Sequence, residues 1–228
     1  MIVDIIIPAY NEEQSIGLVV NDIQHTEVRH IIVVNNNSRD KTVEVAQAAG
    51  AVVLEETEQG YGAACLKGIQ WANSQLPPAD VILFMDADYS DYADEMELLL
   101  APIREGSVDF VIGARSKAGR EKGSMTPQQV FGNWLATTLI RWIYGARFTD
   151  LGPYRAIRLD SLNSLEMVDR NYGWTVEMQI KAIQKKLRFQ EVLVKYRQRI
   201  GVSKVSGTIK GTILAGYKII KTIFKYSL

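Results

Sequence analysis

Short apolar runs that alternate with helix-like stretches constrain this chain more than any other feature of its sequence. Residues 3–7, 30–34, 51–54, 81–85 and 109–113 are rich in isoleucine, valine and leucine and too short for helices. Between them, residues 14–24, 42–50, 62–74 and 96–103 carry helical patterns, and Pro77-Pro78 punctuates the chain. This alternation predicts an α/β layer built on a mostly parallel central sheet with flanking helices. In such sheets, ligands bind outside the carboxyl ends of the strands. The polar clusters 8–13, 35–42, 86–91 and 113–115 all stand at those ends. Farther along, residues 130–144, 174–185 and 208–226 read as helices and Phe189–Tyr196 as a strand. Residues 117–127 and 200–208 read as polar loops, the first of them mobile.

Composition narrows the class. With 228 residues and 47% hydrophobic types, the chain can bury one sizeable core. Lysine plus arginine equals aspartate plus glutamate, at 26 each, so bulk charge does not suggest a nucleic-acid binder. Cys65 is the only cysteine, which excludes an internal disulfide and suits a reducing compartment. The start, MIVDIIIPAYNEE, has no basic segment and reads as a first strand instead of a signal peptide. No run approaches the roughly 18 apolar residues of a spanning helix. A cytoplasmic protein is expected, with a main domain over 1–207 and a C-terminal helix over 208–228.

The stretch LFMDADYS (83–90) carries the chemical question, because an apolar strand runs straight into Asp86 and Asp88. Paired carboxylates at a strand end suit a hard cation such as Mg²⁺ or Mn²⁺, whose remaining oxygens come from substrate phosphates. Two other readings compete. Asp88 or Asp91 can cap a following helix. Asp86 can serve as a phosphoryl-accepting nucleophile, although such a motif normally follows the first strand and this one follows the fourth.

IIIPAYNEE (5–13), VVNNNSRDKT (33–42), EQGYGAACLKGIQWA (58–72), DADYS (86–90), GAR (113–115), TDLGPYRAIR (149–158) and RIGVSKVSGT (199–208) together resemble the GT-A glycosyltransferases of family 2. Within that family they are similar to the polyprenyl-phosphate sugar synthases of the dolichol-phosphate-mannose synthase type. The resemblance implies a GT-A fold and inverting transfer from a nucleotide-sugar donor. It implies that Pro8, Ala9, Tyr10, Glu12, Asn35, Asn36, Gly62, Asp86 and Ala87 bind the nucleotide. Asp86 and Asp88, with Ser90 nearby, would hold Mg²⁺ or Mn²⁺ on the diphosphate. Tyr10 offers a face for the base, and Glu12 can accept ribose hydroxyls. Asn35 stands where the family commonly has an aspartate. An amide both donates and accepts, which fits uracil better than guanine and favours a UDP-sugar over GDP-mannose.

On the acceptor side, the resemblance implies a lipid phosphate, already anionic, that needs cations more than a base. Arg115, Arg155, Arg199 and Lys204 are the candidates. Asp150 and Glu177 are candidates to orient or deprotonate the acceptor, with Arg115 beside them. The family's arginine just ahead of Asn133 is missing from QQVFGN. On a helical wheel Ile209, Ile213, Tyr217, Ile220, Ile223 and Phe224 share one broad face, with Lys210, Lys218, Lys221 and Lys225 on the adjoining one. Such a helix can lie in a membrane interface, or pack on its own domain or on a partner subunit in a homodimer. Two rivals keep part of this reading. One transfers to a soluble phosphorylated acid or sugar, and the other is an inactive sugar-nucleotide-binding subunit.

Overall fold

The computed structural model describes residues 1–201 and 209–227. Its strands are β1 (Val3–Ala9), β2 (Val28–Asn35), β3 (Val52–Glu55), β4 (Val81–Phe84), β5 (Phe110–Arg120), β6 (Arg155–Arg158) and β7 (Phe189–Tyr196). The helices are α1 (Ile16–Asp22), α2 (Thr42–Ala48), α3 (Tyr61–Asn73), α4 (Met96–Arg104), α5 (Pro127–Tyr144), α6 (Leu159–Ser164), α7 (Trp174–Gln184) and α8 (Ile209–Lys225). The strands form one sheet in the order β3-β2-β1-β4-β6-β5-β7. It is parallel except that β6 runs antiparallel to both β4 and β5.

Strand β1 shows why these runs are almost wholly apolar. Its side chains alternate between two buried faces, Ile6 in one core and Val3, Ile5 and Ile7 in the other. The first core also takes Ala64 of α3, Ile140 of α5, Trp174 of α7 and Ile223 of α8. The second takes Ile16 of α1, Ala46 of α2 and Leu99 of α4. Helices thus cover both faces, and ligands are left the rim at the strand ends.

Three expectations change. The polar loop expected over 117–127 is in part strand, because β5 runs on to Arg120, which pairs with Tyr196 of β7. Near its end Thr126 caps α5, which starts at Pro127, through a reciprocal capping box with Gln129. Strand β6 and helix α6 went unpredicted, since RAIR is only four residues long and begins and ends in arginine. The apolar face drawn on α8 divides: Ile223 is buried, whereas Tyr217, Ile220 and Phe224 stay exposed. The polar loop 200–208, Lys204 and the boundary at 207/208 lie outside the described residues apart from positions 200 and 201.

Candidate active site

The polar ends of β1, β2 and β4 open on one cleft. Pro8 and Ala9 line it from the end of β1 and Tyr10 and Glu12 from the loop that follows, Asn36 after β2, and Asp86, Ala87 and Asp88 after β4. Gln59, Gly60, Tyr61 and Ala64 come from the start of α3, and Asn171, Tyr172 and Arg199 from later in the chain. The first two loops brace each other. The Asn11 N–H donates to Ser38 Oγ (2.9 Å), and the Arg39 N–H donates to Asn11 Oδ1 (2.7 Å). Asn11 sits at φ 53°, a left-handed conformation that asparagine tolerates. Glu12 is positioned by its own N–H, which donates to Thr42 Oγ1 (2.8 Å), and by the Ser15 hydroxyl, which donates to Glu12 Oε2 (2.9 Å).

Beyond β4 the chain reverses through Tyr89, at φ 66°. Asp88 accepts from the Ser90 N–H (3.0 Å) and the Ser90 hydroxyl (2.5 Å), so Ser90 orients the carboxylate. Asp91, which sequence reasoning treated only as a capping residue, lies wholly buried beneath. Its Oδ2 accepts from the Asp86 N–H (3.2 Å), and its Oδ1 has no hydrogen-bond partner. Burial first, and the Asp88 charge second, push the Asp86 carboxyl from 3.8 up to about 7, while Arg199 and Arg115 pull the other way. Burial, then Asp86 and Asp88, raise Asp91 well above the carboxylate range. One short turn therefore gathers more negative charge than it can hold ionised without a cation.

Arg199 supplies part of the opposing positive charge. Its Nη2 lies 3.0 Å from Asp88 Oδ2 and 3.4 Å from Glu12 Oε1, while its buried Nε has no partner. The segment around it is strapped to the same turn. The Ile200 N–H donates to the Asp88 carbonyl (2.9 Å) and the Arg197 N–H to the Ser90 carbonyl (3.0 Å). The Arg197 guanidinium lies over the rings of Tyr89 and Tyr92, at 3.4 and 4.4 Å. Arg197 was not singled out in the sequence, since it falls just outside the RIGVSKVSGT motif that marks Arg199.

The donor set fits a divalent ion. Buried carboxylates with raised proton affinity and an orphaned carboxylate oxygen are relieved by a hard cation. Among the described residues no group of three or more histidine, cysteine, aspartate or glutamate side chains forms a metal shell. An ion held by Asp86 and Asp88 would take its remaining oxygens from substrate and water.

Other predicted site residues lie elsewhere. Asp150 is buried and clamped by Arg115, whose Nε and backbone N–H each donate to Oδ2 (2.7 Å) and whose Nη2 donates to Oδ1 (2.6 Å). Glu177 is fully buried. It accepts from the Val168 and Asp169 N–H groups and the Tyr226 hydroxyl, and pairs with Lys181 at 2.9 Å. The acceptor-activating role expected of these two acids meets carboxylates whose oxygens are already committed. Arg155, expected on a phosphate, is fully buried. It donates to the Gly152, Leu151 and Thr175 carbonyls, and burial pulls it down to about 10. Its guanidinium holds the 151–152 loop against α7.

On the donor side, Asn35 does not line the cleft. Its amide donates to Glu55 Oε2 (2.7 Å) and accepts from the Ser38 N–H (3.1 Å), so the inference from it to uracil has no footing in the geometry. Asn36 does line the cleft and holds the Gly60 N–H at 2.7 Å. Gly62 is a packing glycine: a Cβ there would stand 2.1 Å from the Asp169 carbonyl. Close approach of α3 to loop 169–172 brings Asn171 and Tyr172 into the cleft wall, a long-range juxtaposition without a local sequence signature.

Comparison with known proteins agrees with this arrangement. The family model described as Glycosyl transferase family 2 matches residues 4–165. An uncharacterized glycosyltransferase of Mycobacterium tuberculosis is 33% identical over 221 residues, covering 93% of this chain and 94% of its own. An undecaprenyl-phosphate mannosyltransferase of Micrococcus luteus is 30% identical over 218 residues, covering 90% of this chain and 88% of its own. Among solved structures, glucosyl-3-phosphoglycerate synthase of M. tuberculosis, in complex with Mn²⁺, UDP-glucose and phosphoglyceric acid, superposes with a TM-score of 0.80. It is 20% identical, and the match covers 99% of this chain and 79% of that one.

Proposed function

The chain belongs to glycosyl transferase family 2 and is a glycosyltransferase with a GT-A fold, and within that family we propose metal-dependent, inverting transfer of a sugar from a nucleoside-diphosphate sugar to polyprenyl phosphate at a membrane surface. The observation that carries the reading is the part-buried Asp86 beside the buried Asp88, with Asp86 driven up to about 7, next to Arg199 in the cleft. The Tyr10 ring offers a stacking face for the base, and Glu12 accepts ribose hydroxyls. Asp86 and Asp88 would hold Mg²⁺ or Mn²⁺, which neutralises charge on the departing nucleoside diphosphate. Arg199, already cationic at the rim, turns to the phosphates.

The acceptor oxygen forms its bond to the anomeric carbon from the face opposite the leaving group, as the bond from that carbon to the diphosphate oxygen breaks. A phosphate oxygen is anionic beforehand and needs no general base. That requirement suits a site in which Asp150 and Glu177 are both engaged in structural pairs. A lipid acceptor is supported by the name of the M. luteus relative and by the lysine-rich helix α8.

The test is a transfer assay with UDP- and GDP-sugars, Mn²⁺ or Mg²⁺, and either a polyprenyl phosphate in detergent or 3-phosphoglycerate. A sugar–lipid product formed only with metal is expected. Transfer to the soluble acid alone would overturn the lipid reading, and no transfer to either would overturn both.

A further inference from the structure

Helix α8 presents two unlike sides. Inward, Thr222 and Ile223 are buried, and the Tyr226 hydroxyl just beyond the helix donates to Glu177 Oε1 at 2.6 Å. Outward, Leu214, Tyr217, Ile220 and Phe224 are 48, 64, 36 and 51% exposed. Steps of three and four residues place these side chains in one stripe along the helix. Residues 209–225 include Lys210, Lys218, Lys221 and Lys225 and no acidic residue. Lys221 and Lys225 are exposed.

An apolar stripe flanked by the exposed Lys221 and Lys225 fits an anionic bilayer interface. Apolar side chains enter the boundary below the headgroups while ammonium groups meet lipid phosphates. A second copy fits poorly. A two-fold contact through this stripe would set lysine-bearing, acid-free helices against each other.

The same helix touches the donor cleft. Lys218 Nζ lies 3.0 Å from Asp169 Oδ2, and Asp169 Oδ1 accepts from the Asn171 and Gly173 N–H groups at 2.8 and 3.1 Å. Gly173 packs so closely that a Cβ would stand 2.5 Å from Thr222 Oγ1. Asn171 and Tyr172, between those two anchors, line the cleft. We propose that the outer stripe of α8 docks the protein on an anionic lipid surface, and that the Lys218–Asp169 pair couples the docked helix to the wall of the donor site. The coupling rests on the donor reading given above; the docking does not.

Flotation of the full chain tests the docking, with phosphatidylcholine vesicles that contain or lack phosphatidylglycerol. Binding to the anionic vesicles alone is expected, weakened by salt and lost in the double variant Leu214→Glu/Phe224→Glu with its melting temperature preserved. No flotation, or equal flotation of the double variant, overturns the docking. A concentration-dependent dimer that this variant disrupts assigns the stripe to a second copy and also overturns it. For the coupling, anionic vesicles should tighten Mn²⁺-dependent nucleotide binding several-fold in the wild type. Lys218→Met, which keeps the stripe, should float without that gain. An absent gain in the wild type, or a full gain in the variant, overturns the coupling. Nucleotide binding without flotation ends the docking proposal and leaves the transferase reading standing; flotation without nucleotide binding does the reverse.

Discussion

Two clusters of acids and arginines stand at the rim of the same sheet, and they are built to opposite specifications. Around Asp150 every charge has a partner: Arg115 grips both carboxylate oxygens, and Arg155 beside it is consumed by backbone carbonyls. Around Asp86 the charges are in excess. Asp86, Asp88 and Asp91 share one largely buried turn, with Arg199 reaching Asp88 and an Asp91 oxygen left without a partner. Residue type does not separate these regions, since both are aspartate and arginine at strand ends. The pairing separates them. A buried pair with saturated hydrogen bonds behaves as scaffold, whereas an excess of negative charge is what a bound cation would relieve.

The largest test of the contrast is Asp150→Ala. Removing one partner of a buried pair leaves Arg115 uncompensated, and a loss of about 3–5 kcal/mol is expected in denaturant unfolding. A small loss of stability with a large loss of turnover would instead move Asp150 into the chemistry. Asp88→Asn should behave in the opposite way. Its melting temperature should hold while metal-dependent transfer falls by about a hundredfold or more, matching a few kcal/mol of charge stabilisation. Equal transfer by that variant would dissolve the distinction between the clusters.

Asp86 makes a prediction in pH. Its folded-state value of about 7 exceeds the ordinary 3.8, so folding favours the protonated form. That contribution is complete below the unfolded value and is lost as pH rises through the folded one. Metal-free protein should therefore lose part of its stability between about pH 4 and pH 7. Asp86→Asn should flatten that loss, and thermal unfolding across the range reads it directly. A slope unchanged in the variant would assign the pH dependence to other groups.

The smallest effect sharpens the role of Arg199. Arg199→Gln should tighten Mn²⁺ binding without nucleotide by roughly fivefold, on the order of the 1 kcal/mol of a part-exposed ion pair. The same variant should weaken nucleotide-sugar binding. Opposite signs in the two titrations would mark Arg199 as a counter-ion that passes from carboxylate to phosphate. Equal signs would make it a fixed part of one site.

Much of the donor side was legible because its residues are contiguous with strand ends. An apolar run followed by PAYNE or DADYS tells where the strand stops and which side chains emerge at the rim, and Pro8, Ala9, Tyr10, Glu12, Asn36, Asp86, Ala87 and Asp88 do meet in one cleft. The acceptor side was less legible. Arg155 and Glu177 read as ligand-facing in a linear motif, yet both side chains are buried and spent on holding loops. Gly62 read as a nucleotide glycine and serves α3 packing. Asn171, Tyr172 and Arg197 carried no signal.

The sequence by itself determined the α/β alternation, the parallel half of the sheet and the edge at which chemistry gathers. Those properties follow from local periodicity and from strands buried on both faces. Only the tertiary structure decided that β6 enters antiparallel between β4 and β5, which carboxylates are paired and which are in excess, and which side of α8 faces out. Whether a buried charge finds a partner depends on residues tens of positions away, as Arg115 with Asp150 and Arg199 with Asp88 do. That distance is why composition and spacing could name the acids but could not assign their work.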